Sequence, residues 1–187
     1  MKRFLITAAI AVITLFCMHA KTLIVYYSYT NTTKTVVDNL RKHIKADELR
    51  IEPAQKGLDY AADDYKIGSE LIAAIRENPD KTSSYPGIDP VKCDLSDYDT
   101  IVVATPLWWS NMAAPMQTYL FENGAKMKDK KIALVVCSWS SGIDDVVRDA
   151  HRLIPGGDFL TPALWVKEPE ISEVNKDVTA WLKKVKL

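Results

Sequence analysis

The sequence predicts an α/β fold: a doubly wound sheet of five parallel strands in the order 2-1-3-4-5, with helices on both faces. Three observations carry this. Five short apolar, β-branched runs alternate with segments whose apolar residues recur at helical spacing. The runs are apolar on both faces, as strands covered on both sides must be. The fifth run contains Pro162, which lacks an amide donor and so belongs at a sheet edge or a bulge. Right-handed crossovers leave few topologies, and a terminal fifth strand favours this order over a dinucleotide-type one.

Leu23 to Tyr27 is the first strand. Ser28 to Thr33 is nearly all hydroxyl and amide, and Val36, Val37, Leu40 and Ile44 then mark a helix from Thr35 to Ile44. Glu48 to Glu52 is a short second strand that Pro53 ends. After a loop at 56–59, Tyr60 to Glu77 reads as a helix with Tyr65, Leu71, Ile72 and Ile75 inward, stopped by Asn78 and Pro79. Asp63 and Asp64 in this helix, and Asp144 and Asp145 in a later one, read as helix-start acids that complement the dipole. Lys81 to Pro90 is rich in Ser, Pro and Gly and reads as a long surface loop of the functional or mobile kind.

Tyr98 to Thr105 carries the third strand. Pro106 to Pro115 reads as a loop, with Pro115 opening a short helix over Met116 to Phe121. Gly124 ends it near a Lys-rich turn. Ile132 to Ser138 is the fourth strand, Trp139 to Gly142 a polar loop, and Ile143 to Leu153 a helix. Phe159 to Val166 is the fifth strand. Pro169 leads into a last helix bearing Val174, Val178, Trp181, Leu182 and Val185.

At 187 residues the chain suits one domain with a sizeable core. Its 24 Lys and Arg balance 24 Asp and Glu. A net charge of zero argues against a nucleic-acid partner, because neutralising phosphates takes clustered cations. It gives no support to a strongly acidic docking face either. Lys2 and Arg3 precede an apolar run from Phe4 to Met18, and Ala20 follows. This is the layout of a secretory signal peptide, short for a membrane span. The expectation is cleavage after Ala20, leaving a single exported, periplasmic domain over 21–187 with no span in the mature chain. The alternatives are a lipid anchor at Cys17, which Phe16 disfavours, and a buried N-terminal strand or helix. Cys93 and Cys137 fall at opposite ends of neighbouring strands, roughly 17–20 Å apart, and read as free thiols.

In a sheet of this order, ligands bind beyond the carboxyl ends of the strands, where strands one and three diverge. The loops after strands one, three and four must converge there. The first offers Ser28, Tyr29, Thr30, Asn31, Thr32 and Thr33 at a helix N-terminus. Free amides, the dipole and small hydroxyls make that junction a phosphate holder. Its bland counterpart is a well-capped βα turn. It is neither a Walker loop nor a glycine-rich dinucleotide fingerprint. The second offers Thr105, Pro106, Leu107, Trp108, Trp109, Ser110, Asn111 and Met112. The third offers Ser138, Trp139, Ser140, Ser141 and Gly142. Three tryptophans on such loops either cap the core or an interface, or flank a planar ring. A hydroxyl nest beside aromatic walls suits a flat aromatic ligand with one phosphate, and flavin mononucleotide (FMN) is the candidate.

These motifs resemble the flavodoxins, specifically their short-chain flavodoxin-like group, over nearly the whole chain from Lys21. The family's first loop reads Ser/Thr-x-Thr-Gly-Asn-Thr, and Ser28 to Thr33 is similar to it. Asn31 stands at the family's glycine and Thr32 at its asparagine. Thr105 to Trp109, followed by Pro115 and the aromatic pair Tyr119 and Phe121, is similar to the family's Gly-x-Pro-x-Trp-Trp pattern. Tyr98 and Asp99 also match. The resemblance implies phosphate binding by the first loop and ring contacts from the second and third. Trp139 stands where the family usually has small residues.

The sequence offers no convincing nucleophile or acid–base pair. His43 and His151 fall on helices among charged residues and read as solvent-facing. A flavin would carry the chemistry. Three readings follow: an FMN-bearing electron carrier for an unidentified redox partner protein, an FMN-dependent NAD(P)H:quinone-type reductase acting on a small planar acceptor, and a non-redox module for another phosphorylated ligand.

Overall fold

The computed structural model describes residues 21–187, so the expected signal segment over 1–20 lies outside the described residues. In chain order the regular elements are β1 (Thr22–Tyr26), α1 (Thr32–His43), β2 (Asp47–Arg50), α2 (Ala62–Glu77), β3 (Thr100–Trp108) and β4 (Asn111–Met112). They continue with α3 (Ala114–Asn123), β5 (Lys131–Ser138), α4 (Asp144–Leu153), β6 (Asp158–Lys167) and α5 (Val174–Val185). The sheet order is β2-β1-β3-β5-β6, all parallel, with β4 paired antiparallel to the end of β3. Leaving β4 aside, this is the order predicted from the sequence.

The central strands β1, β3 and β5 are apolar on both faces because both faces are covered. Leu23, Val25, Ile101, Val103, Ile132 and Leu134 face α3 and α4 and pack with Met116, Leu120, Val146 and Ala150. Ile24, Tyr26, Val102, Ala104 and Val135 point the other way, onto Val36, Val37 and Leu40 of α1 and Val178 and Trp181 of α5. Pro162 sits on the edge strand and also within a bulge. Between Ala133 and Val135 the β6 partner jumps from Leu160 to Leu164. The Pro162 carbonyl turns outward to accept the Trp181 indole N–H at 2.8 Å.

Three expectations are corrected. The Lys81–Pro90 segment is fastened rather than free. Ala54 N donates to Gly87 O at 3.0 Å, Asp89 N donates to Glu52 O at 2.8 Å, and Ser84 and Tyr85 are buried. The chain after β2 supplies the partner that composition alone does not reveal. Next, Asp63, Asp64 and Tyr65 at the start of α2 hold φ of 50°, 54° and 62°. That left-handed turn takes the two acids out of a regular first helical turn, and it leaves Tyr65 55% exposed instead of inward. Finally, Pro106 to Trp108 is not loop but the end of β3, for the reason given below. Asp144 and Asp145 do occupy the first turn of α4.

Cys93 and Cys137 are free thiols. His43 and His151 are exposed, the first 3.0 Å from Asn175 Oδ1 and the second packed on Phe159. Among the described residues no helix is long and apolar enough to cross a membrane, and no cluster of three His, Cys, Asp or Glu is placed to hold a metal ion.

Candidate functional site

The carboxyl ends of β1, β3 and β5 open into a cleft of about 440 Å³. All three expected loops reach it. The first contributes Tyr29, Thr30 and Thr32; the second Pro106, Leu107, Trp108 and Trp109; the third Ser138 and Trp139, with Cys137 just behind. Two further segments complete the wall: Tyr60, Ala61 and Tyr65 from the entry to α2, and Glu168 after β6. Sequence reading missed both. The density of Tyr60 and Tyr65 near two acids was a legible hint, whereas nothing local marks Glu168.

The first loop is shaped like an anion cradle. Asn31 adopts φ 68° and ψ 0°, a left-handed conformation that Asn tolerates better than other side chains. Its carbonyl accepts Thr35 N at 2.9 Å, and buried Ser28 Oγ accepts Lys34 N at 3.2 Å. No side chain of Asn31 caps α1. Among the described residues, the Asn31, Thr32 and Thr33 amides donate to no protein acceptor, and so remain available at the positive end of α1. The Thr30 and Thr32 hydroxyls lie 3.1 Å apart at the cleft wall. Ser28, Thr33 and Thr105 are buried behind it. The sequence therefore left one helix-start donor to a side chain and kept the others open.

The second loop is a tight hairpin. Leu107 pairs with Met112 and Trp108 with Asn111. The two residues between, Trp109 and Ser110, both have positive φ, 46° and 68°. This is the primed geometry that joins antiparallel strands, usually built with Asn and Gly. A bulky residue there is strained and must be held by its surroundings. Arg76 does so, donating to the Trp109 carbonyl and, at 2.7 Å, to Asn111 Oδ1. The buried Asp149 carboxylate accepts Asn111 Nδ2 and Met112 N, both at 2.9 Å. Gly68 lets the indole close down, since a Cβ there would lie 2.7 Å from the Trp109 ring. Consequently Ser110, Asn111 and Met112 do not line the cleft. Ser110 is the turn, Asn111 is spent on this network, and Met112 is fully buried in the core.

The two indoles therefore have distinct settings. Trp108 is half-buried, edge-on to Tyr27 at 5.6 Å and tilted against Tyr60 at 4.9 Å. Trp109 reaches Tyr65 at 6.3 Å. In the third loop Ser138 Oγ donates to Ser141 O and accepts the Trp165 indole N–H, each at 2.8 Å. Ser140, Ser141 and Gly142 are exposed and stand outside the cleft wall. Trp139, 69% exposed, stands at the mouth.

Burial pushes the Cys137 thiol up to about 12, with a hydrogen bond from Thr33 opposing, so it stays a thiol near neutrality. The Tyr29 hydroxyl donates to Asp59 Oδ1 at 2.7 Å, which raises the phenol and lowers the carboxyl. Burial raises Tyr60. Among the described residues no member of the cleft wall is a Lys, Arg or His, and Glu168 is the one carboxylate there. Such a lining offers indole faces to a planar ring and hydroxyls beside open amides to an anion.

An open parallel sheet with a ligand cleft at the β1/β3 switch point defines a class of flavodoxin-like folds. The flavodoxin family profile matches residues 21–185, and the chain belongs to that family. Its fold is similar to a candidate flavoprotein from Bacteroides eggerthii, at 21% identity and TM-score 0.69, covering 90% of this chain and 99% of that one. A flavoprotein from Lactobacillus acidophilus in complex with FMN is similar at 25% identity and TM-score 0.63, covering 84% and 97%. The Fusobacterium nucleatum flavodoxin bound to FMN shares the fold at 12% identity and TM-score 0.55, covering 89% and 96%.

Proposed function

We propose that this protein binds FMN non-covalently and transfers electrons through it. One observation carries the reading. Thr30 and Thr32, at the helix start whose Asn31, Thr32 and Thr33 amides are open, line the same 440 Å³ space as Trp108, Trp109 and Trp139. The complex of the Lactobacillus acidophilus relative with FMN supports it. The residues present fit the group, with the amides at the start of α1 for the phosphate and indoles for the ring. A bound flavin supplies one- and two-electron chemistry that side chains lack. The chain's part is to grip, flank and desolvate. The α1 amides and the Thr30 hydroxyl hold the anion, the locked hairpin sets Trp109 as a rigid wall, and the Tyr27–Trp108–Tyr60 cluster excludes water from below.

A second reading is a reductase of small planar acceptors. The exposed Trp139 and Tyr65 at the mouth favour it, since they leave apolar surface for a second ring. The neutral net charge also weakens the case for a carrier that docks through an acidic face. We place the mature protein outside the cytoplasm, on the signal-like layout of residues 1–20.

Titration with FMN tests the proposal. Flavin fluorescence is expected to quench on binding. Fluorescence unchanged at millimolar FMN overturns both redox readings. Anaerobic photoreduction then separates them: a stabilised semiquinone supports the carrier, and NAD(P)H-dependent quinone turnover supports the reductase.

A further inference from the structure

Glu168 is out of place in a phosphate site. Its Oε1 accepts the Thr32 hydroxyl at 2.9 Å, and the residue is half-buried at the anion end of the cleft. The cations on the adjoining segments are already engaged, Arg50 also donating to the Ser28 carbonyl at 3.2 Å. Lys34 Nζ pairs with Asp38 at 2.5 Å, Lys167 Nζ lies 3.3 Å from Glu170 and over the Trp165 ring, and Arg50 pairs with Glu52 at 2.6 Å. The hydroxyl best placed to donate to an anion is thus donating to a carboxylate. A phosphate monoester carries about −1.5 to −2 charges near neutrality and has three acceptor oxygens. It must displace Glu168 from Thr32 and then sit beside it. A flavin ending in a free hydroxyl has no such conflict, because that hydroxyl can donate to the carboxylate.

We propose that Glu168 is a specificity-determining residue of this cleft, one that selects against a dianionic phosphate and brings phosphate-free flavin within range of FMN. The proposal rests on the flavin reading above. It gives the α1 amides and the Glu168 carboxylate opposite roles. The amides draw an anion in, and the carboxylate limits how much negative charge is accepted. A chain without Glu168 would keep only the first role.

The experiment compares FMN and riboflavin binding to the wild-type protein, Glu168→Gln and Glu168→Ala, read by flavin fluorescence. Gln keeps an acceptor for Thr32 and removes only the charge; Ala removes both. Wild-type protein is expected to bind riboflavin within about tenfold of FMN, and both variants to bind FMN about tenfold tighter, or about 1.4 kcal/mol. Riboflavin affinity is expected to stay level or fall. FMN affinities that agree within about twofold across the three proteins, or an equal gain for both flavins, overturn the role of Glu168 and leave the flavin reading standing. If no protein of the three quenches either flavin, the flavin reading falls and this inference with it. FMN binding by Glu168→Gln alone would support both.

Discussion

Two turns meet at the rim of the cleft, and both place non-glycine residues at positive φ. The Ser28–Thr33 turn holds Asn31 at φ 68°, and the 107–112 hairpin holds Trp109 and Ser110 at 46° and 68°. Their polar groups are treated in opposite ways. In the hairpin, Arg76 and Asp149 take up the Trp109 carbonyl, both ends of the Asn111 amide and the Met112 N–H. In the first turn, the amides of Asn31, Thr32 and Thr33 have no protein acceptor among the described residues. Donors left open at a helix start make a ready anion site. A fully bonded hairpin is a preorganised wall instead. The same backbone conformation thus leaves donors open in one place and builds a rigid wall in the other.

The largest way to break this contrast is Asp149→Ala. It strands a buried N–H of Met112 and an Asn111 donor, and is expected to lower stability by about 2–4 kcal/mol in urea unfolding. A loss under about 1 kcal/mol would mean that the hairpin holds itself. Next, Ser110→Gly relieves a left-handed serine and is expected to add about 1 kcal/mol. Asn31→Gly should do much less for stability, because Asn accepts this conformation and Gly loses more entropy on folding. It should instead tighten FMN binding a few-fold if the Asn31 side chain crowds the phosphate. Equal effects of the two glycine substitutions on stability would erase the distinction between the turns.

The smallest effect concerns Tyr29→Phe, which unties the rim at Asp59. The Tyr29 hydroxyl, with the Ala61 amide second, holds the Asp59 carboxyl below its ordinary 3.8. A lowered carboxyl stabilises the fold above that value and ceases to do so as pH falls through the depressed one. The same bond raises the Tyr29 phenol above 10.0, so on that side the contribution is complete below this value and fades as pH rises further. The melting temperature of wild type is therefore expected to exceed that of Tyr29→Phe slightly at neutral pH. The difference should close in strong acid and strong base. A gap that does not vary with pH would assign Tyr29 a packing role alone.

Much of the cleft was readable beforehand. The hydroxyl run after an apolar strand marked a turn that lines the cleft, and Trp108, Trp109 and Trp139 marked residues that flank it. Pro162 located the edge strand, because a residue without an N–H has few places in a sheet. The hairpin was not readable, since Trp-Ser is an unusual pair for a primed turn and its support comes from α2 and α4. For that reason Ser110, Asn111 and Met112 looked like ring contacts and proved to be turn, network and core. Tyr65 looked inward by helical spacing, but the left-handed turn at Asp63–Tyr65 reset the phase of the helix.

The order of strands, the open helix-start turn after β1 and the gathering of loops at one rim follow from the chain's own pattern, because apolar periodicity and helix-start chemistry are local. Which hydroxyl meets which carboxylate is not local. Thr32 and Glu168 are separated by 136 positions, and Met112 and Asp149 by 37. Only the packing of α1 beside the end of β6, and of α4 beneath β4, brings those groups within 3 Å. Side-chain hydrogen bonds of that range depend on relative placements of fractions of an ångström, and a linear pattern of residues carries no such distance.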